Sequence, residues 1–251
     1  MAKYRKLDNP PIVEAIVDFR VRRHNGVSAD DLLSRQDSLV ELGFPHRKEQ
    51  RIVEVKLSAD GEQQDRTTGF SGYRFVSEDE KRLVHFQLEG FAFNLVGNYD
   101  TWESMISEAL KLWGIYQDAA NPVSIVRIGT RFINRLSQAE ETPPREILIN
   151  PPTVPGVSDD LYRGSQETVL IEQPNGIRVR FLQAVNYSGG PYNVIIDTDS
   201  FYTLEGGKEL DLPCSSDKLM SFLDPLRDSK NELFFESVTE KALTVYVDHA
   251  S

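Results

Sequence analysis

Two stretches of this chain, 113 residues apart, carry the same two-residue alternation, and the elements that follow each come in the same order. In the first, Val13, Ala15, Val17, Phe19 and Val21 form an apolar face, and Ile12, Glu14, Ile16, Asp18, Arg20 and Arg22 form a mixed, charged one. Period-two patterning of that kind specifies a strand with one buried side. The offset pairs Val13 with Val126, Ala15 with Ile128, Val17 with Thr130 and Phe19 with Phe132. A chain with such a doubled order is constrained to an α+β fold, in which helices cover one face of an antiparallel sheet.

The elements are read as follows. Pro10 and Pro11 delimit the first strand. Ser28, with Asp31 three residues on, caps a helix over 29–42 that stops at Gly43. Residues 51–58 alternate, and a polar loop follows over 59–70. Tyr73–Val76 and Leu83–Val96 form a hairpin, with the second strand bent at Gly90. Trp102, Met105, Ile106, Ala109, Leu110, Trp113 and Tyr116 make an apolar stripe on a helix over 100–117, capped by Asp100. The second half opens with a strand over 123–136 and a short helix near 144–149. Strands at 161–173 and 177–187 follow, joined by Pro174-Asn175-Gly176, and then a strand at 192–199. Leu219, Phe222, Leu223 and Leu226 mark a final helix capped by Ser216, with Pro225 kinking it or ending its first segment. Ser237-Val238-Thr239-Glu240 reads as a capping box for a new turn. The order is thus β-α-β-β-β-α, twice. The expectation is one integrated unit over 1–251, built from pseudo-repeat halves 1–121 and 122–251 that share one sheet. The alternative is an ordinary α+β protein without duplication.

Composition narrows the function classes. The chain has 251 residues, with 28 Lys plus Arg against 39 Asp plus Glu, a net charge of −11. That sign opposes general attraction to phosphate, so nucleic acid is not the expected partner. Cys214 is the single cysteine, which excludes an internal disulfide or a Cys-rich zinc site. No run approaches the roughly 18 apolar residues of a membrane helix, and the N-terminus has no secretory h-region. A cytoplasmic protein without membrane attachment is expected. Homodimerisation through an edge strand is left open.

Some motifs are familiar. Asn9-Pro10-Pro11-Ile12-Val13-Glu14-Ala15, Gly72-Tyr73-Arg74-Phe75, Phe91-Ala92-Phe93-Asn94-Leu95, Tyr99-Asp100-Thr101-Trp102-Glu103 and Arg131-Phe132-Ile133-Asn134-Arg135 span nearly the whole chain. The set resembles a sporadically distributed prokaryotic family of unknown function. The resemblance carries no catalytic residues. The patchy occurrence of that family implies mobile-element or phage-defence cargo.

The charged face of the leading strands is the best site candidate. Glu14 and Asp18 share one face of the first strand, and the offset brings Arg127 and Arg131 to the matching positions of the second half, with Arg20 nearby. Asn134 is expected on the opposite face. If the two strands pair, the opposite charges meet, either as cross-strand ion pairs or as a site for a ligand or partner. Asp197 and Asp199 share a strand face and could hold Mg²⁺, although such a pair is more often a solvated strand end. Ser215-x-x-Lys218 matches a penicillin-enzyme motif in the wrong fold order and reads as a helix cap. His24, His46, His85 and His249 show no metal-ligand spacing. No catalytic residue, metal or cofactor is therefore expected. The preferred function is a non-catalytic protein-binding or sensor module. The alternatives are an enzyme with an unrecognised site on the open sheet face, and a nucleic-acid binder using Arg20, Arg22, Arg23, His24, Arg127, Arg131 and Arg135.

Overall fold

The fold is taken from a computed structural model. It describes residues 6–57, 63–137, 142–153, 156, 163–187, 189–204 and 206–247, and for 52–57, 63–68 and 137 the backbone alone. Ser58, the 59–62 part of the polar loop, Pro155, Leu161, Tyr162 and His249 lie outside the described residues.

The class is α+β, with ten antiparallel strands among the described residues. The first set of elements is β1 (Ile12–Arg22), α1 (Ala29–Leu33), α2 (Gln36–Glu41), β2 (His46–Leu57), β3 (Gln63–Val76), β4 (Arg82–Gln87), β5 (Gly90–Val96) and α3 (Trp102–Ala120). The second set is β6 (Ser124–Ser137), α4 (Pro144–Ile147), β7 (Gly164–Glu172), β8 (Arg178–Asn186), β9 (Asn193–Thr203), β10 (Leu210–Asp211), α5 (Ser216–Ser237) and α6 (Glu240–Leu243). The hydrogen-bonded order is β2-β3-β4-β5-β1-β6-β9-β8-β7, with β10 beside β6.

Contacts divide the chain into two compact units. A terminal unit gathers Met1–Ile16, Ile128–Thr203 and Ser215–Ser251, and a central unit gathers Val17–Arg127 and Leu204–Cys214. The divisions fall inside β1 and β6, so each leading strand contributes to both units.

In the central unit, Phe19, Phe75, Phe86, Phe91 and Phe93 come from alternate strand positions and are buried. Helix α3 lays Trp113 and Tyr116 on them. Trp113 meets Phe19 edge-on at 4.8 Å, and Tyr116 meets Phe86 at 5.3 Å. The Tyr116 hydroxyl donates to the Gln87 carbonyl at 2.9 Å, which satisfies its polar end inside the core. In the terminal unit, α5 packs on β9. The core there includes Leu136, Ile147, Leu148, Val185, Val194, Ile196 and Phe234.

Several boundaries differ from the sequence reading, each for a local reason. The 29–42 helix is two short helices, because Arg35, at φ −115° and ψ 19°, leaves the helical path between them. Ser28 does cap the first of them, as expected, and its pairing with Asp31 completes a capping box. The polar stretch 63–70 is strand, paired with β2 over Arg51–Leu57. Cross-strand pairing there overrides a polar composition. Residues 83–96 are two strands turned at Leu88 and Glu89. Gly90 sits just after that turn, where an added Cβ would lie 2.8 Å from the Phe19 carbonyl oxygen. Thr101, not Asp100, caps α3, and Leu112 takes the buried place read for Leu110. Helix α5 runs unbroken past Pro225 and is capped by Ser215. Thr239 caps α6.

Gly72 yields a stability prediction. It lies in β3 beside a register shift, and a Cβ there would meet the Phe86 carbonyl oxygen at 2.2 Å and the Gln87 Cα at 2.6 Å. Backbone cannot yield as a side chain can. Gly72→Ala is expected to lower unfolding free energy by about 2 kcal/mol in urea titration. Gly69→Ala, where a Cβ meets nothing within 4 Å, is expected to stay within about 0.5 kcal/mol of the parent.

Candidate functional site

Alternation sets the site. On β1, Ala15, Val17, Phe19 and Val21 are buried, and Glu14, Asp18, Arg20 and Arg22 point to the other side. On β6, Ile128, Thr130, Phe132, Asn134 and Leu136 are buried, and Arg127, Arg131 and Arg135 take the alternate positions. Asn134 thus faces the core, as its place in the alternation requires, and its amide approaches the Ile196 carbonyl at 3.4 Å. The two strands run antiparallel: Val123 N–H donates to the Arg22 carbonyl, and Arg135 N–H to that of Pro11.

In the central unit this pairing brings Arg127 onto Asp18 as a direct ion pair, both side chains largely buried. Arg22 is held by Glu209 at 2.6 Å. Arg20 is exposed and has no carboxylate partner among the described residues.

In the terminal unit Arg131 finds a partner that the sequence reading did not give it. Its Nε and Nη2 donate to the two carboxylate oxygens of Asp197, at 2.8 and 2.6 Å. Two parallel bonds of this kind fix both planes and are about twice as strong as neutral ones. The Asp197 hydrogen bonds, opposed in part by burial, hold the guanidinium proton above its ordinary range, and the charges of Asp197, Asp199 and Glu14 add to that. Asp197 and Asp199 do share a strand face. Asp199 lies 4.0 Å from Arg180, so a cationic side chain, in place of Mg²⁺, stands against each of the two carboxylates. Among the described residues no group of three or more His, Cys, Asp or Glu gathers as a metal site. Beside this network, Arg135, Ala184, Asn186, Asn193 and Ile195 line a shallow recess of about 370 Å³.

Two polar residues escaped the sequence reading. His85 lies on β4 between the buried Val84 and Phe86, so it faces away from the aromatic core. Burial, with the Arg74 charge adding, holds its imidazole down to about 4, so it is neutral near pH 7. Lys230 is buried on α5, with Nζ 3.9 Å from the centroid of the Phe132 ring. The spacing of Leu219, Leu223, Leu226, Lys230 and Phe234 was a signal for it, since it sets the lysine in the middle of the apolar stripe.

No protein-family model matches the chain, and no curated protein matches it. Among solved structures, the di-domain ARO/CYC StfQ from the steffimycin biosynthetic pathway aligns with 93% of this chain and 96% of its own. The identity is 12% and the TM-score 0.18. At that TM-score the likeness carries no argument about fold or function.

Proposed function

We propose that this protein is a non-catalytic binding or sensor module that recognises a protein partner through the charged sheet face. The setting that the sequence resemblance suggests is a mobile-element or phage-defence system. One observation carries the reading: leading-strand charges are held in ion pairs, Asp18 with Arg127 and Arg131 with Asp197 of β9. General acid or base work needs a group whose proton is poised near the working pH and free to move. A carboxylate clamped by a guanidinium is not free to move. Within each unit, clamped charges instead hold both signs in fixed places, which selects a partner by complementary pattern and penalises a mismatched one. The same pairing takes Arg22, Arg127 and Arg131 away from any phosphate backbone.

The test is co-purification with candidate partners, beginning with the products of adjacent genes. A stoichiometric complex is expected, weakened at least tenfold by Arg20→Glu in the central unit or by Arg135→Glu in the terminal unit. Both residues are exposed, so neither change is expected to disturb folding. Substrate turnover that is lost on replacing Glu14 or Asp18 would support the enzyme reading instead. A salt-dependent shift with DNA or RNA would support the nucleic-acid reading.

A further inference from the structure

In the central unit, strand register sets three basic side chains in one row. Lys48 on β2 pairs with Arg74 on β3, and Arg74 pairs with His85 on β4. Ala92 on β5 is next, opposite His85. All lie on the side away from Phe75, Val84, Phe86 and Phe93. Side chains directly opposite one another on neighbouring strands stand about 5 Å apart, where like charges repel. An ordinary sheet interleaves a carboxylate. Here Lys48 and Arg74 have none within ion-pair distance among the described residues. The Arg74 Nε is buried without a hydrogen-bond acceptor. Leaving a buried donor of a charged group unmet is costly, so such groups are normally satisfied by a partner or a ligand. Only His85 is engaged, its Nδ1 lying 3.1 Å from the Gln50 side-chain oxygen. The small Ala92 ends the row on one side, and Lys48 is exposed at the other.

We propose that Lys48 and Arg74, with His85 beside them, form a binding site for the phosphoryl group of a small phosphate monoester. The Lys48 ammonium and the Arg74 guanidinium supply N–H donors from two neighbouring strands for a tetrahedral head with three free oxygens, where a planar carboxylate offers two; His85, its Nδ1 on Gln50, stands beside them. The fixed charge of Lys48 and Arg74 matches a dianion. A single compact dianion also avoids the repulsion that the net −11 imposes on a polyanion. The site goes beyond the partner-binding reading and does not depend on it.

Inorganic phosphate is the first probe, added to the full-length protein at constant ionic strength while the His85 imidazole is followed by ¹⁵N NMR. Inorganic phosphate is a monoanion at the pH where His85 titrates, and its charge still offsets that of Arg74, so the His85 titration is expected to move upward from about 4 by roughly one pH unit. Arg74→Gln is expected to weaken phosphate binding at least tenfold, and so is Lys48→Gln. Lys48 is exposed, so its variant tests the site even where Arg74→Gln impairs folding. No saturable shift would overturn the proposal. An equal response to acetate would overturn it in favour of a carboxylate. A response that survives both substitutions would mean an adventitious ion only.

Discussion

Arg131→Met is expected to cost about 3 kcal/mol of unfolding free energy. The substitution leaves the Asp197 carboxylate, whose residue is 5% exposed, without its two strongest hydrogen bonds and with Asp199 and Glu14 near. Breaking one side of a buried pair strands the other charge in a low-dielectric site, and that penalty exceeds what the intact pair contributes. The guanidinium is 35% exposed, which keeps the effect at the lower end of the range. Removing both partners avoids the stranded charge. Arg131→Met/Asp197→Leu is therefore expected to recover most of the loss. Urea unfolding of the parent, both single variants and the double variant closes the cycle. A single variant within about 0.5 kcal/mol of the parent would show the pair to be incidental.

Lys230→Met is expected to stabilise the protein, and by more at low pH. Burial holds the Lys230 amine down to about 7, against an ordinary 10.5, and the Arg227 charge adds to that. Below pH 7 both folded and unfolded states carry the ammonium, and the folded state bears the full cost of its burial. Between pH 7 and 10.5 the folded state releases a proton that the unfolded chain keeps, so stability rises with pH through that window. The Phe132 ring under Nζ offsets part of the cost. Methionine fills a similar volume without the charge. The gain is expected to be on the order of 3 kcal/mol at pH 6 and to shrink steadily toward pH 10. Thermal melts of both proteins across that range measure it. A gain independent of pH would mean that packing, not the ammonium, sets the difference.

These two residues show how unevenly the site could be read from sequence. Glu14, Asp18, Arg127 and Arg131 were legible because strand alternation alone decides which side chains share a face. The antiparallel pairing of β1 with β6 then followed the doubled pattern, and Asp18 met Arg127. Asp197 was legible as a face-sharing acid but not as the partner of Arg131. That contact depends on β9 lying beside β6, and 66 residues separate the two groups. The row of Lys48, Arg74 and His85 was invisible for the same reason. Each residue sits on a different strand, and only the register aligns them.

By itself the sequence determined the α+β class, the leading strands near 12–22 and 123–136, the long helix near 100–117 and the sidedness of the two leading strands. Those are properties of local periodicity, with apolar residues recurring every two or every three to four positions. It did not determine where a polar strand such as 63–70 would pair, or which acid each arginine would find. Tertiary structure decided those, because cross-strand partners are set by register between segments distant in the chain. A charged group takes whichever opposite charge the packed strands bring within reach.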